Sequence, residues 1–141
     1  MEKSTLMAGI AGGVVMFLLG WLFYGMSGVM DSHVTEVGKA ASLSDEDMNI
    51  ALIAIANLIT GIIMAHLYSK WARGSHGFGH GAKFGAAIGA LIGVGLGLIY
   101  MATSAWMTST GYIIDGVWQI VMYALTGGVI GMVMGKSDGG D

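Results

Sequence analysis

The sequence predicts an all-α integral membrane protein, a bundle of four transmembrane helices, and three observations predict it. Charged residues are 11% of the chain and apolar residues 55%. A typical soluble domain carries about 25% charge, so this chain lacks the polar surface to cover a soluble fold. Mean hydropathy is +0.72, and the apolar residues gather into four runs, each long enough to span a hydrocarbon core of about 30 Å. Glycine returns every fourth residue through the third run, at Gly81, Gly85, Gly89, Gly93 and Gly97. In water each of these would weaken a helix by roughly 1 kcal/mol relative to alanine. In lipid the backbone has no other hydrogen-bond partner and stays helical, and small-xxx-small rows let neighbouring helices meet at backbone distance. The row predicts glycine-zipper packing.

The first run covers about residues 6–26, or about 31 Å of helix. It exceeds the roughly 7–15 apolar residues of a cleavable leader, and no clear A-x-A site follows, so it is read as an uncleaved first span. Residues 27–47 are polar and acidic, with Asp31, Glu36, Asp45, Glu46 and Asp47 against Lys39 alone. Ser44 followed by Asp47 is a variant of the capping box, and acidic residues suit a helix N-terminus. The second helix is therefore placed at about 47–69. A glycine-rich loop, 74–81, carries His76 and His80. The third helix is placed at about 81–106 and, with its glycine row, is expected to be the most buried. The fourth covers about 112–135 and carries a second row, Gly127, Gly131 and Gly135. Two rows exceed what one internal contact requires, so the second is expected to face a partner. The whole chain, 1–141, makes one membrane domain, and 136–141 is read as a flexible tail.

Basic residues set the predicted orientation. Lys3, Lys70, Arg73, Lys83 and Lys136 lie on one side of a four-span topology and Lys39 on the other. The positive-inside rule then puts both termini and the histidine loop in the cytoplasm and the acidic loop outside. A tandem two-helix repeat is faintly legible. A shift of 76 aligns Gly9 with Gly85, Gly13 with Gly89 and Tyr24 with Tyr100, and a shift of 66 aligns Thr60-Gly61 with Thr126-Gly127 and Lys70 with Lys136. Two hairpins related by an axis along the membrane normal would give this pattern, and so would any two glycine-rich apolar helices.

Chemistry is harder to find. Ionisable groups at membrane depth mark pumps, coupled transporters and intramembrane enzymes, and here Asp115 and Lys83 fall at predicted helix ends. No enzyme activity and no cofactor is expected. The chain has no cysteine, which removes thiolate catalysis and Cys-type metal sites, and no basic, aromatic-interleaved patch suggests nucleic acid. The polar groups at depth include Asn57, Thr60 and Thr126. They form the candidate polar site, Asn57 being read first as a donor in an interhelical hydrogen bond worth about 0.6 kcal/mol. His66, His76 and His80 are the candidate metal or haem ligands. His76 and His80 have the i, i+4 spacing of two imidazoles on one helical face, but glycines between them fix no face, and solvated loop histidines are the plainer reading. Twelve methionines are scattered without a common line and are read as packing.

FLLGWLFYG at 17–25 after Gly12-Gly13, the Glu46-Asp47-Met48-Asn49 start of the second helix, and the glycine row together resemble small four-span bacterial membrane proteins of unknown function, of the kind found in Bacteroidota. The resemblance implies a multi-pass protein of the bacterial inner membrane and carries over no activity. Asn57-x-x-x-Gly61 is similar to part of the small four-span fluoride channels, but their Thr-Thr-Phe-Ser run and early basic residue are missing. The function expected is that of a small accessory or assembly subunit packing against membrane lipid and against other membrane proteins or itself. The alternative is an oligomeric passive channel or carrier lined by Asn57, Thr60 and Thr126.

Overall fold

The structure, a computed structural model, describes residues 2–138. Among them it has five helices and no strand: α1 (Lys3–Met26), α2 (Glu36–Ala41), α3 (Ile50–Trp71), α4 (Phe78–Thr103) and α5 (Ser109–Asp138). All but α2 are long and apolar enough to cross a membrane. The helix expected to stop at 135 continues through Asp138, so 136–138 are not a separate tail, and 139–141 lie outside the described residues.

Local chemistry moves several of the expected boundaries. The Ser44 side chain accepts from no backbone N–H, its hydroxyl donating instead to Asp47 Oδ2 at 2.7 Å. The Asn49 carboxamide caps instead, accepting from the Leu52 N–H at 2.9 Å, so α3 begins at Ile50 rather than at 47. At its far end Arg73 and Gly74 both take positive φ, 49° and 82°, and reverse the chain into the histidine loop. The third span starts three residues before Gly81, at Phe78, and ends at Thr103 because Ser104 is extended (φ −135°, ψ 157°).

The unexpected element is α2. Thr35 caps it, accepting from the Gly38 N–H at 3.0 Å, and the same hydroxyl donates to the Ala105 carbonyl. The Thr35 N–H donates to Trp106 O at 3.0 Å and the Thr108 N–H to His33 O at 2.8 Å. Gly38 packs so closely on the Trp106 carbonyl that no Cβ fits between them. The acidic loop is therefore clamped to the α4–α5 connection through backbone.

The four long helices pack as two antiparallel hairpins, α1 with α3 and α4 with α5, joined mainly through α1 and α5. Helix α3 touches α5 and α4 only slightly, and α1 does not meet α4. The result is a row, α3–α1–α5–α4. Its middle explains a correction: the fourth span, not the third, is the most buried, with 44% of its apolar window covered against 22%, because α5 has a helix on two sides and α4 on one.

Both glycine rows are used inside the molecule. Gly81 and Gly85 lie on the backbone of Gly127 and Tyr123, and Gly131 packs on Gly77 and Gly81. A methyl at Gly89 would stand 2.6 Å from Gln119 O. The second row therefore faces α4 and not a partner. In the first hairpin Gly61 fits between Gly9 and Gly13, as Gly127 does between Gly81 and Gly85. These contacts correspond under shifts of 72 and 66, one helical turn from the 76 that best aligns the letters. The first helix of each hairpin also contains a π-helical turn, Trp21–Met26 and Leu91–Leu96.

Candidate functional site

The π-helical turn in α4 ends the close contact with α5. Gly97 N–H reaches back five residues to Ile92 O, and the wider turn rotates the following side chains around the helix axis. Gly93 is the last of the row in backbone contact with α5, lying on Gly116, while Gly97 has nothing within 4 Å of where a Cβ would stand. Between the two helices beyond this point opens a groove of about 230 Å³, floored by Gly93, Gly97 and Gly116 and walled by Val94, Leu98, Met101, Tyr112, Ile113 and Val117. The Tyr112 hydroxyl is taken up by Ser104 Oγ at 2.5 Å, so the tyrosine presents its ring to the groove. The walls carry no charge, and the shape suits a small-residue helix face or a hydrocarbon chain.

The three residues of the expected polar site share no hydrogen bond. Asn57 Nδ2 donates to Ile53 O at 2.8 Å and Thr60 Oγ1 to Ala56 O at 2.9 Å, both within α3. The interhelical bond expected of Asn57 is thus an intrahelical one, because Gly13 of α1 lies on its backbone rather than on its side chain. Thr126 is wholly buried against Gly12 and Ile130, and its hydroxyl has no hydrogen-bond partner among the described residues.

At the opposite end, Tyr68 organises the histidines. Its hydroxyl is 3.4 Å from His80 Nδ1, its ring lies 5.6 Å from that of His76, and Trp71 stacks on His80 at 4.5 Å. Tyr68 is fully buried, so His76 and His80 serve as walls of an aromatic plug where α3 touches α4. His66 stands apart, beside Glu2, Thr5, Ser69 and Lys70. Among the described residues no three His, Asp or Glu side chains are placed to hold a metal ion.

One polar constellation escaped the sequence reading. Asp115 lies six residues inside α5, counting from Ser109, about 9 Å along the helix. It accepts from the Tyr24 hydroxyl at 2.5 Å, and Gln119 Nε2 donates to the same hydroxyl at 3.0 Å. Phe23 stacks on Trp118 at 4.4 Å beside them. Together they hold the π-helical end of α1 to α5, where the two backbones have separated. The legible signal is Asp115 and Gln119 at i, i+4, one face of a helix. Comparison with protein families, curated proteins and solved structures finds no match to this chain.

Proposed function

We propose that this protein is a small multi-pass accessory or assembly subunit of the bacterial inner membrane, which docks a helix of another membrane protein, or of a second copy, in the groove between α4 and α5. The observation that carries the reading is Gly97. The four glycines before it are covered by α5 and it alone is bare, at the place where the groove opens. Without a hydrophobic driving force between helices in lipid, association depends on close packing, and a glycine floor permits it. The glycine contacts are read as a zipper within each hairpin, and the matching contacts and π-helical turns as a tandem two-helix repeat. The charge asymmetry supports both termini in the cytoplasm. The channel alternative draws no support from Asn57 and Thr60, each of which donates to a carbonyl of its own helix.

The test is co-purification after mild solubilisation, with Gly97→Leu beside the native chain. The expected result is a stoichiometric partner or dimer with the native protein, lost in the variant at unchanged thermal stability. A native protein that runs as a lone monomer overturns the reading.

A further inference from the structure

The pocket around His66 is lined mostly by polar groups. It measures about 280 Å³ and is lined by Glu2, Thr5, His66, Ser69 and Lys70, far more room than the about 10–15 Å³ a single water needs. It lies between the first turn of α1 and the last two turns of α3, so in a spanning protein it sits at the depth of lipid headgroups, at the same end of α3 as the exposed Trp71. Thr5 is only 3% exposed, yet its hydroxyl bonds to no described residue and it lines this pocket. Lys70 and Glu2 form no ion pair among the described residues, where Lys39–Glu36 is the one present. His66 and Lys70 are i, i+4 and share a helix face. The Ser69 hydroxyl donates to His66 O at 2.7 Å, which leaves its oxygen as an acceptor.

We infer that this pocket holds the zwitterionic headgroup of an aminophospholipid, with the phosphate on Lys70, His66 and Thr5 and the ammonium on Glu2 and Ser69. A cation, an imidazole and a buried hydroxyl supply donors for a phosphate, and charge-assisted bonds are the stronger kind. A carboxylate in the same pocket disfavours a headgroup that is only anionic, and it calls for a partner that carries its own positive charge and N–H donors. A primary ammonium has those donors; the quaternary ammonium of a choline headgroup has none. The inference rests on the reading that the long helices span a bilayer and needs no protein partner.

The test is native mass spectrometry of the detergent-purified full chain, titrated with phosphatidylethanolamine, phosphatidylcholine and phosphatidylglycerol of one acyl composition. The expected result is one phosphatidylethanolamine retained about two- to fivefold better than either other lipid, the range that an exposed ion pair gives. Lys70→Gln and Thr5→Val should each reduce that retention, and Glu2→Gln should shift the preference towards phosphatidylglycerol. Glu2 and Lys70 are exposed, so those two variants keep the fold, and unchanged thermal unfolding verifies it. Equal retention of the three lipids, indifference to both charge variants, or full displacement by millimolar inorganic phosphate overturns the headgroup site. Alkaline carbonate extraction separates the two readings: a protein stripped from membranes fails the spanning premise, and one that stays but shows no lipid preference fails only the headgroup site.

Discussion

Gly89 lies midway along α4, with Gln119 O at 2.6 Å and Ile120 Cα at 2.7 Å from the position of a Cβ. Backbone cannot move aside as a side chain tip can, so Gly89→Leu must force α4 from α5. The expected cost is about 1–3 kcal/mol, the scale of overpacking, read as a lowered unfolding temperature in detergent. Gly97→Leu, over open space, should leave that temperature near native, and equal losses would mean that α4 and α5 are not in backbone contact. Asn57→Leu removes only an intrahelical bond on α3 and should be close to neutral. Tyr24→Phe is different, because it leaves the Asp115 carboxylate without its donor. We expect a loss of about 1–3 kcal/mol, the cost of an orphaned polar group, with Asp115→Asn costing less because its amide oxygen still accepts. A double-mutant cycle of Tyr24→Phe with Asp115→Ala, which removes the acceptor, in which the two changes simply add would show that this hydrogen bond does not form.

At the scale of elements, the clamp between the acidic loop and the α4–α5 connection depends on one side chain. The Thr35 hydroxyl caps α2 and also donates to the Ala105 carbonyl, so Thr35→Val should loosen both sides of the clamp together. Loss of a cap is worth about 0.5–2 kcal/mol, and the expected outcome is faster hydrogen exchange in both 33–41 and 104–108. Faster exchange in α2 alone would show that the clamp survives without it. This element was hidden from the sequence for a physical reason: it is held by backbone carbonyls some 70 residues away, which leave no mark on local pattern. The spans were legible because hydropathy sums over some twenty residues and tolerates an error of a few at each end. That tolerance also concealed Asp115. Placing the start of the last helix at 112 puts this carboxylate at a helix end, whereas the observed start at Ser109 puts it two turns inside. A glycine row, likewise, announces a close contact without naming the neighbour, which is why the row on α5 could be assigned to a partner when α4 covers it.

At the scale of the molecule, one labelling experiment reads orientation and span number separately. Ser75, in the histidine loop, and Ser42, just after α2, are both exposed, and they lie beyond opposite ends of α3. That helix has 22 residues, about 33 Å at the usual rise, enough to separate them by one hydrocarbon core. Lys70, Arg73 and Lys83 flank Ser75, whereas Asp45, Glu46 and Asp47 follow Ser42. Retention of basic segments on the cytoplasmic side therefore predicts that a cysteine at Ser42 reacts with an impermeant maleimide added to intact cells, and that one at Ser75 reacts only after the membrane is opened. The clamp constrains the alternatives, since it ties 33–38 to 104–108 on one side of the molecule. An inverted protein must reverse both labels at once, and a protein in which α3 does not span must place both cysteines on the same side. Labelling of both from outside would exclude the four-span arrangement itself; reversal of both would keep the four spans and overturn only the cytoplasmic assignment of the termini.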